Sequence, residues 1–219
     1  MRLLFLYIAL VFITPCTAQW SYGGEFSFVH FSGTTELKHF GGGISADYEI
    51  NERTGIYGSM GFFLPQNYEA NVTLFAISAN TIPYALVVPL DSRISFTRLG
   101  IAGKRYFIGR YDGDENERFG FYGTGGFGIL FGARTSNIPG YEENLYTSPI
   151  QDEKTAVFVN WIAGLGIGAE YLLGKTYLYL SFISRYTFDE ANQTLIKTNI
   201  PFMFDYNFGM RIPLVSKGQ

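Results

Sequence analysis

Residues 157–188 read VFVNWIAGLGIGAEYLLGKTYLYLSFISRYTF, and this stretch decides the fold class. From Val157 to Tyr171 every second residue is apolar or aromatic, while the alternate positions are rich in glycine and include Glu170. A tight turn follows, and the alternation then resumes with Arg185 on the polar face. A period of two places one face against an apolar medium and the other against small and polar neighbours. The stretch therefore predicts a β-hairpin, and its charges favour the polar lumen of a transmembrane β-barrel over a dry core.

The composition also favours a membrane barrel over a helical protein. Of the 219 residues, 47% are hydrophobic, 18% are aromatic and 26 are glycine. Aromatic residues form girdles at both interfaces of a membrane barrel, whereas glycine costs about 1 kcal/mol in a helix interior relative to alanine. The formal net charge of −3 provides no basic excess that would attract nucleic acid. No apolar run is long enough for a transmembrane helix, and a spanning sheet must close to pair its backbone groups.

The first residues have the features of an export signal. Arg2 is the positive start, an apolar run follows, and small residues precede a predicted cleavage site before Gln19. We therefore expect a signal peptide over residues 1–18 and an outer-membrane β-barrel domain over residues 19–219. Cys16 is the only cysteine, so cleavage would leave no thiol for a disulfide or a cysteine-ligated metal. Lipidation of Cys16 is the alternative, and the proline before it disfavours this reading.

The alternating pattern recurs in segments that are each long enough to cross a bilayer as a tilted strand. We expect strands at about residues 20–31, 38–50, 55–64, 92–108, 118–134, 154–173, 176–188 and 200–213. The connections alternate between longer and shorter ones, as extracellular loops and periplasmic turns do in outer-membrane barrels. The prediction is therefore all-β: an eight-stranded antiparallel up-and-down transmembrane β-barrel with principal extracellular loops at residues 65–91 and 135–153.

The charged residues within these strands share a face with glycine, serine or asparagine. We therefore expect a lumenal charge network formed by Glu25, Asp47, Arg98, Lys104, Glu170, Arg185, Asp205 and Arg211. Eight strands enclose an interior that is just filled by side chains, and unpaired buried charge is costly. Four acids balance four bases, which predicts paired charges that plug the barrel, with a narrow pore as the alternative.

The final strand supports a resemblance to a known family. Aromatic and aliphatic residues occupy every second position from Phe202 to Ile212, and Asp205, Asn207 and Arg211 alternate with them. In pattern and length the whole mature chain resembles the small OmpA/OmpX-type outer-membrane β-barrels. The resemblance implies residence in a Gram-negative outer membrane, contact with outer-membrane lipid and insertion by the barrel-assembly machinery. The chain departs from such barrels at its end, where a polar tail replaces the terminal aromatic residue.

The sequence contains no motif for a cofactor or a metal ion, because its glycine runs lie within predicted strands and its two histidines lack a third ligand. His30 could in principle deprotonate Ser32 while Glu36 orients the ring. This arrangement looks loosely like the His-x-Ser pair of lipid A deacylase barrels, but Gly33 stands where that family has asparagine. We therefore expect a protein that is not an enzyme, with lipid A modification as an alternative. His39 is expected at the barrel rim.

The predicted loop at residues 67–91 is unusually apolar for an extracellular segment. Its apolar residues are Val72, Leu74, Phe75, Ile77, Ile82, Tyr84, Leu86, Val87 and Val88. Such a surface is expected to cover the barrel mouth, to bind an extracellular protein or ligand, or to form a short hairpin of its own. The expected function is a non-catalytic barrel with a structural or binding role. A soluble lipocalin-like barrel is a further alternative, and it would place the apolar face inward.

Overall fold

The computed structural model describes residues 20–32, 37–111, 117–138, 140–142, 144–148, 155–188 and 202–214. The predicted signal peptide at residues 1–18 and the catalytic candidate Glu36 lie outside the described residues. The strands are β1 (Trp20–Ser32), β2 (Leu37–Asn51), β3 (Thr54–Ala76), β4 (Ala85–Ile108), β5 (Phe119–Asn137), β6 (Tyr146–Thr147), β7 (Thr155–Leu173), β8 (Thr176–Phe188) and β9 (Phe202–Pro213). Nothing in these ranges forms a helix long and apolar enough to cross a membrane.

The long strands form a closed antiparallel ring. Its order is β2-β1-β9-β8-β7-β5-β4-β3, and β3 pairs with β2 to close it. The first and last strands are paired from Ser21 with Pro213 to Ser32 with Phe202. A closed ring has no free sheet edge, so its backbone groups are paired even where no water is present. The predicted fold class, an eight-stranded antiparallel barrel, is confirmed.

The two faces of the wall have opposite chemistry. Large apolar side chains point outward, and Phe26 and Leu165 are each 75% exposed. Charged, polar and glycine residues point inward, and Arg98 and Asp205 are buried there. This is the reverse of the lipocalin arrangement, in which the apolar face lines a cavity. Inward glycines also make room for large neighbours, because a Cβ at Gly209 would lie 2.6 Å from the Tyr179 ring.

The connections fall at two ends of the barrel. We call the end with residues 52–53, 109–118 and 174–175 the turn end, and the opposite end the loop end. The strand count in the ring is even, so β1 begins and β9 ends at the turn end.

The predicted loop at residues 65–91 is mostly a hairpin, which is one of the alternatives expected for it, and the predicted loop at residues 135–153 begins a few residues later than expected. Strand β3 continues to Ala76 and β4 begins at Ala85, so that only residues 77–84 connect them. Strand β5 continues to Asn137, and β6 forms a further short strand that pairs with the end of β3. Pro65 suggested a strand end, but it lies at a register shift between Phe63 and Gln66, where a missing N–H is tolerated.

Candidate functional sites in the lumen and on the projecting hairpin

A first group of charges fills the lumen near the turn end. Glu170 on β7 pairs with Lys104 on β4 and with Arg211 on β9, whose Nη2 lies 2.9 Å from Oε2. The Tyr106 hydroxyl also donates to Glu170. Asp47 on β2 accepts a hydrogen bond from the Tyr111 hydroxyl at 3.4 Å. We call Asp47, Lys104, Glu170 and Arg211 the turn-side cluster; it contains two acids and two bases.

Tyrosine rings enclose the turn-side cluster. Lys104 Nζ lies 4.0 Å from the centroid of Tyr122, and Arg211 Cζ lies 4.1 Å from that of Tyr177. Tyr111 comes from the connection between β4 and β5, and its carbonyl accepts a hydrogen bond from Arg211 at 3.0 Å. Cation–π contacts of this kind gain strength when they are desolvated. Tyr111 thus fills the lumen at the turn end, a role that its place in a predicted turn did not suggest.

A second group of charges lies further toward the loop end. Asp205 on β9 accepts from Arg98 on β4 and from Arg185 Nε on β8, the latter at 2.6 Å. Arg98 also pairs with Glu25 on β1 at 3.2 Å, and Tyr179 donates to the same carboxylate at 2.8 Å. We call Glu25, Arg98, Arg185 and Asp205 the loop-side cluster; it again contains two acids and two bases.

The structure brings together the eight residues expected in the lumen, and it divides them between these two clusters. Between the clusters lies a cavity of about 30 Å³, lined by residues of both and by Tyr57 and Thr124. A buried water occupies about 10–15 Å³ by this measure, so the cavity has room for about two water molecules. The described part of the lumen therefore contains a short polar chamber lined by ion-paired side chains.

Aromatic and aliphatic side chains close the chamber on its loop-end side. Phe63 stacks on Phe96 with centroids 4.4 Å apart, and Phe31 packs edge-on against Phe96 at 5.0 Å. His39 is fully buried among them, and its Nδ1 lies 3.2 Å from the Leu64 carbonyl oxygen. The expectation that His39 lies at the rim is therefore wrong. We call this layer the aromatic plug; the buried members are Val29, Phe31, Leu37, Phe63, Ile94, Phe96, Leu130, Ile162 and Met203.

The sequence contained one signal for the aromatic plug. Phe31, Phe63 and Phe96 interrupt faces that otherwise carry glycine, serine and charge, and each interruption lies toward the loop end of its predicted segment, 20–31, 55–64 or 92–108. A change from polar to apolar residues on one face at matching heights predicts a layer of packed side chains.

Strands β3 and β4 run past the ring and form a projecting hairpin, residues 65–91. On its inward face Leu74 and Leu90 are buried, and Tyr146 of β6 packs against them. Phe75 and Ala76 pair with β6, and the Tyr146 hydroxyl donates to the Pro83 carbonyl at 3.1 Å. The apolar inward face is thus covered by the chain's own segment between β5 and β7.

The end of the hairpin presents apolar side chains that are exposed among the described residues. Ile82 is 91% exposed and Tyr84 is 68% exposed. We call the exposed large side chains there the tip patch: Phe75, Ile77, Ile82, Tyr84 and Val87. Residues 70–90 contain no charged side chain, so the patch is both apolar and electrically neutral.

The catalytic candidates lie on the outward face of β1 at the loop end. The Ser32 hydroxyl points to the Phe202 carbonyl oxygen at 3.4 Å, and the His30 ring lies 6.4 Å from the Phe204 ring between centroids. Glu36 lies outside the described residues, so its distance from them is not defined. Among the described residues, no three His, Cys, Asp or Glu side chains are grouped so that they could hold a metal ion.

Solved structures of similar shape are small outer-membrane barrels. A major outer membrane protein of Thermus thermophilus has a TM-score of 0.55 at 13% identity, over 90% of this chain and 99% of that one. Neisserial surface protein A has 0.53 at 12%, over 89% and 97%. The N-terminal β-barrel domain of Pseudomonas aeruginosa OprF has 0.50 at 11%, over 90% and 99%.

No protein-family model matches the chain, and no curated protein matches it. At 11–13% identity the structural likeness establishes the fold and carries no activity or ligand with it. The chain has the fold of the small eight-stranded outer-membrane β-barrels of the OmpA/OmpX type.

Proposed function

We propose that this protein is a non-catalytic integral barrel of a Gram-negative outer membrane that presents its projecting hairpin to an extracellular ligand or protein. The tip patch is the observation that carries the proposal, because Ile82 and Tyr84 remain exposed while the apolar inward face of the hairpin packs against Tyr146. Exposed apolar patches on an otherwise well-packed unit mark interaction sites.

Membrane residence is supported by the outward face of the ring. Strand β9 has 12 residues, and at about 3.3 Å per residue with a tilt of about 40° it rises about 30 Å. The apolar band of an outer-membrane barrel is about 25 Å tall, so the strand length suits such a membrane. Lipid of that membrane would contact the outward side chains, and insertion would use the barrel-assembly machinery.

A plug accounts for the lumen better than a pore does. The two clusters are each charge-balanced, the aromatic plug lies above them, and the chamber between them holds about 30 Å³. A permeant ion would have to displace both ion pairs and packed rings, and each is costly to disturb. The lumen therefore serves the stability of the barrel, and the binding role falls to the hairpin.

Gel mobility tests the barrel, and cysteine labelling on cells tests its orientation. Protein from the outer-membrane fraction should run faster unboiled than boiled in SDS. The leader contains the only cysteine, so single cysteines can be placed in the mature chain. A membrane-impermeant maleimide should label Ile82→Cys on intact cells, but label the turn-end Lys175→Cys only after permeabilisation. Equal mobility, or labelling of Lys175→Cys alone on intact cells, would overturn the proposal.

A further inference from the structure

The tip patch is separated from the barrel's own apolar belt by a polar band. On the outward face of β3, Asn67, Glu69, Asn71 and Thr73 are all exposed between Leu64 of the belt and Phe75 of the patch. Asp91 and Arg93 lie on the matching outward face of β4. Leu64 and Phe75 are 11 residues apart, a span of about 36 Å along a strand. The membrane that holds the belt therefore does not also cover the patch.

The patch is convex, and this determines which partner can cover it. Phe75 and Val87 project from the outward face of the hairpin, whereas Ile77, Ile82 and Tyr84 surround the turn. A rigid protein would need a socket that encloses the end from several sides. A lipid interface surrounds any convex apolar end without a matched shape, and affinity then follows the apolar area that is buried.

The chemistry of the patch also fits a lipid interface. Residues 70–90 contain no charged side chain, so no charge on the hairpin itself must lose its hydration when the tip enters. The nearby exposed Glu142, whose carbonyl accepts a hydrogen bond from Leu145 beside Ile77, limits the insertion to the end of the hairpin. Tyr84 adds a ring with a polar hydroxyl, the kind of side chain that is enriched at membrane interfaces.

The backbone at the base of the patch is already paired, so insertion would not expose unsatisfied groups there. Ala76 N–H donates to the Tyr84 carbonyl at 2.9 Å, and Ile77 N–H donates to the Leu145 carbonyl at 2.9 Å. Tyr146 braces the same turn through Pro83. A rigid, hydrogen-bonded end loses little conformational freedom on binding.

We infer that the tip patch inserts shallowly into a second lipid surface that faces the loop end. This inference rests on the proposed orientation, and it names the partner of the hairpin as a lipid interface that need not be charged. Ile82 is the deepest side chain, and Tyr84 lies at the level of the headgroups.

Vesicle flotation tests the inference. The full chain is placed in phosphatidylcholine nanodiscs, which cover the belt, and is mixed with neutral phosphatidylcholine vesicles. Ile82→Asp should weaken vesicle binding by about tenfold to 100-fold, since burial of one large aliphatic side chain is lost. Asn71→Asp is the matched control, because it adds the same charge to an exposed site on the same hairpin, opposite Pro89 and outside the patch. Every variant is first checked for the heat-dependent mobility shift.

A fluorophore reports insertion directly. A polarity-sensitive label on Ile82→Cys should shift to the blue with neutral vesicles, and a label on Asn71→Cys should not. The inference is overturned if wild type fails to float with neutral vesicles, or if binding requires anionic lipid and disappears in salt. In either case Ile82→Cys would still be labelled on intact cells. A failure of the lipid inference can therefore be distinguished from a failure of the proposed function.

Discussion

Replacing Asp205 with asparagine removes one charge from the centre of the loop-side cluster. Asp205 is fully buried and pairs with both Arg98 and Arg185. Removing one partner of a buried ion pair costs about 3–5 kcal/mol, because the other charge is left buried and uncompensated. Asparagine keeps one acceptor oxygen, and Arg98 keeps Glu25 at 3.2 Å. We therefore expect Asp205→Asn to lower the free energy of unfolding by about 3 kcal/mol, at the lower end of that range.

Urea unfolding in lipid vesicles measures this loss, with the folded fraction read from the faster band on unboiled gels. At a slope of about 2 kcal/mol per molar urea, the midpoint should fall by about 1.5 M. Glu52→Gln is the control, because it removes a carboxylate from the exposed pair with Arg110 at 3.3 Å. An exposed pair contributes about 0–1 kcal/mol, so the midpoint of the control should move by less than about 0.5 M.

A double variant tests the cause of the loss. In Asp205→Asn with Arg185→Met the unpaired cation is gone, so the combined loss should be smaller than the sum of the two single losses. Equal midpoints for Asp205→Asn and the exposed control, or strictly additive losses in the double variant, would refute the reasoning.

Three further outcomes are expected. Gly126→Ala should reduce the folded fraction after refolding, because its Cβ would meet the backbone of β4, whereas Gly24→Ala, with its nearest contact at 3.9 Å, should fold normally on the same gels. Tyr146→Ala should open the projecting hairpin by removing a buried ring, at a cost of about 3 kcal/mol, so limited proteolysis should cut residues 77–84 faster than in the exposed-ring control Tyr84→Ala. Ser32→Ala should leave lipid A unchanged by mass spectrometry, and a lost acyl-chain modification would instead support the enzyme.

The sequence was sufficient to predict the eight-stranded ring and to distinguish the outward from the inward face of its wall. A period of two needs only local information, and the eight predicted segments fall within strands of the structure to within a few residues. The same pattern was present in residues 65–91, where Val72, Leu74, Leu86, Val88 and Leu90 occupy the inward face. The prediction ended the strand early because Pro65 and the apolar content suggested a loop.

Which lumenal acid pairs with which base could not be predicted from the sequence. Arg98 reaches Asp205 across the barrel, from β4 to β9, and Lys104 reaches Glu170 from β4 to β7. Two lumenal residues meet only if they lie at the same level along the barrel axis, and this level depends on the stagger of all eight strands. The pattern within a single strand does not contain the stagger. Tyr111 was missed for a related reason, because a turn residue enters the lumen only if the wall beside it leaves space.

The position of β9 in the charge network has a consequence for assembly. Arg98 and Arg185 both pair with Asp205, and Glu170 pairs with Arg211; Asp205 and Arg211 arrive with the last strand. A chain that has formed every strand but this one leaves Arg185 without Asp205 and leaves Arg98 with Glu25 alone. Closure with β9 shifted by one residue would turn both of its charges outward. The charge network thus favours the correct register of β9, since the ion pairs of Asp205 and Arg211 form only in the complete and correctly registered barrel.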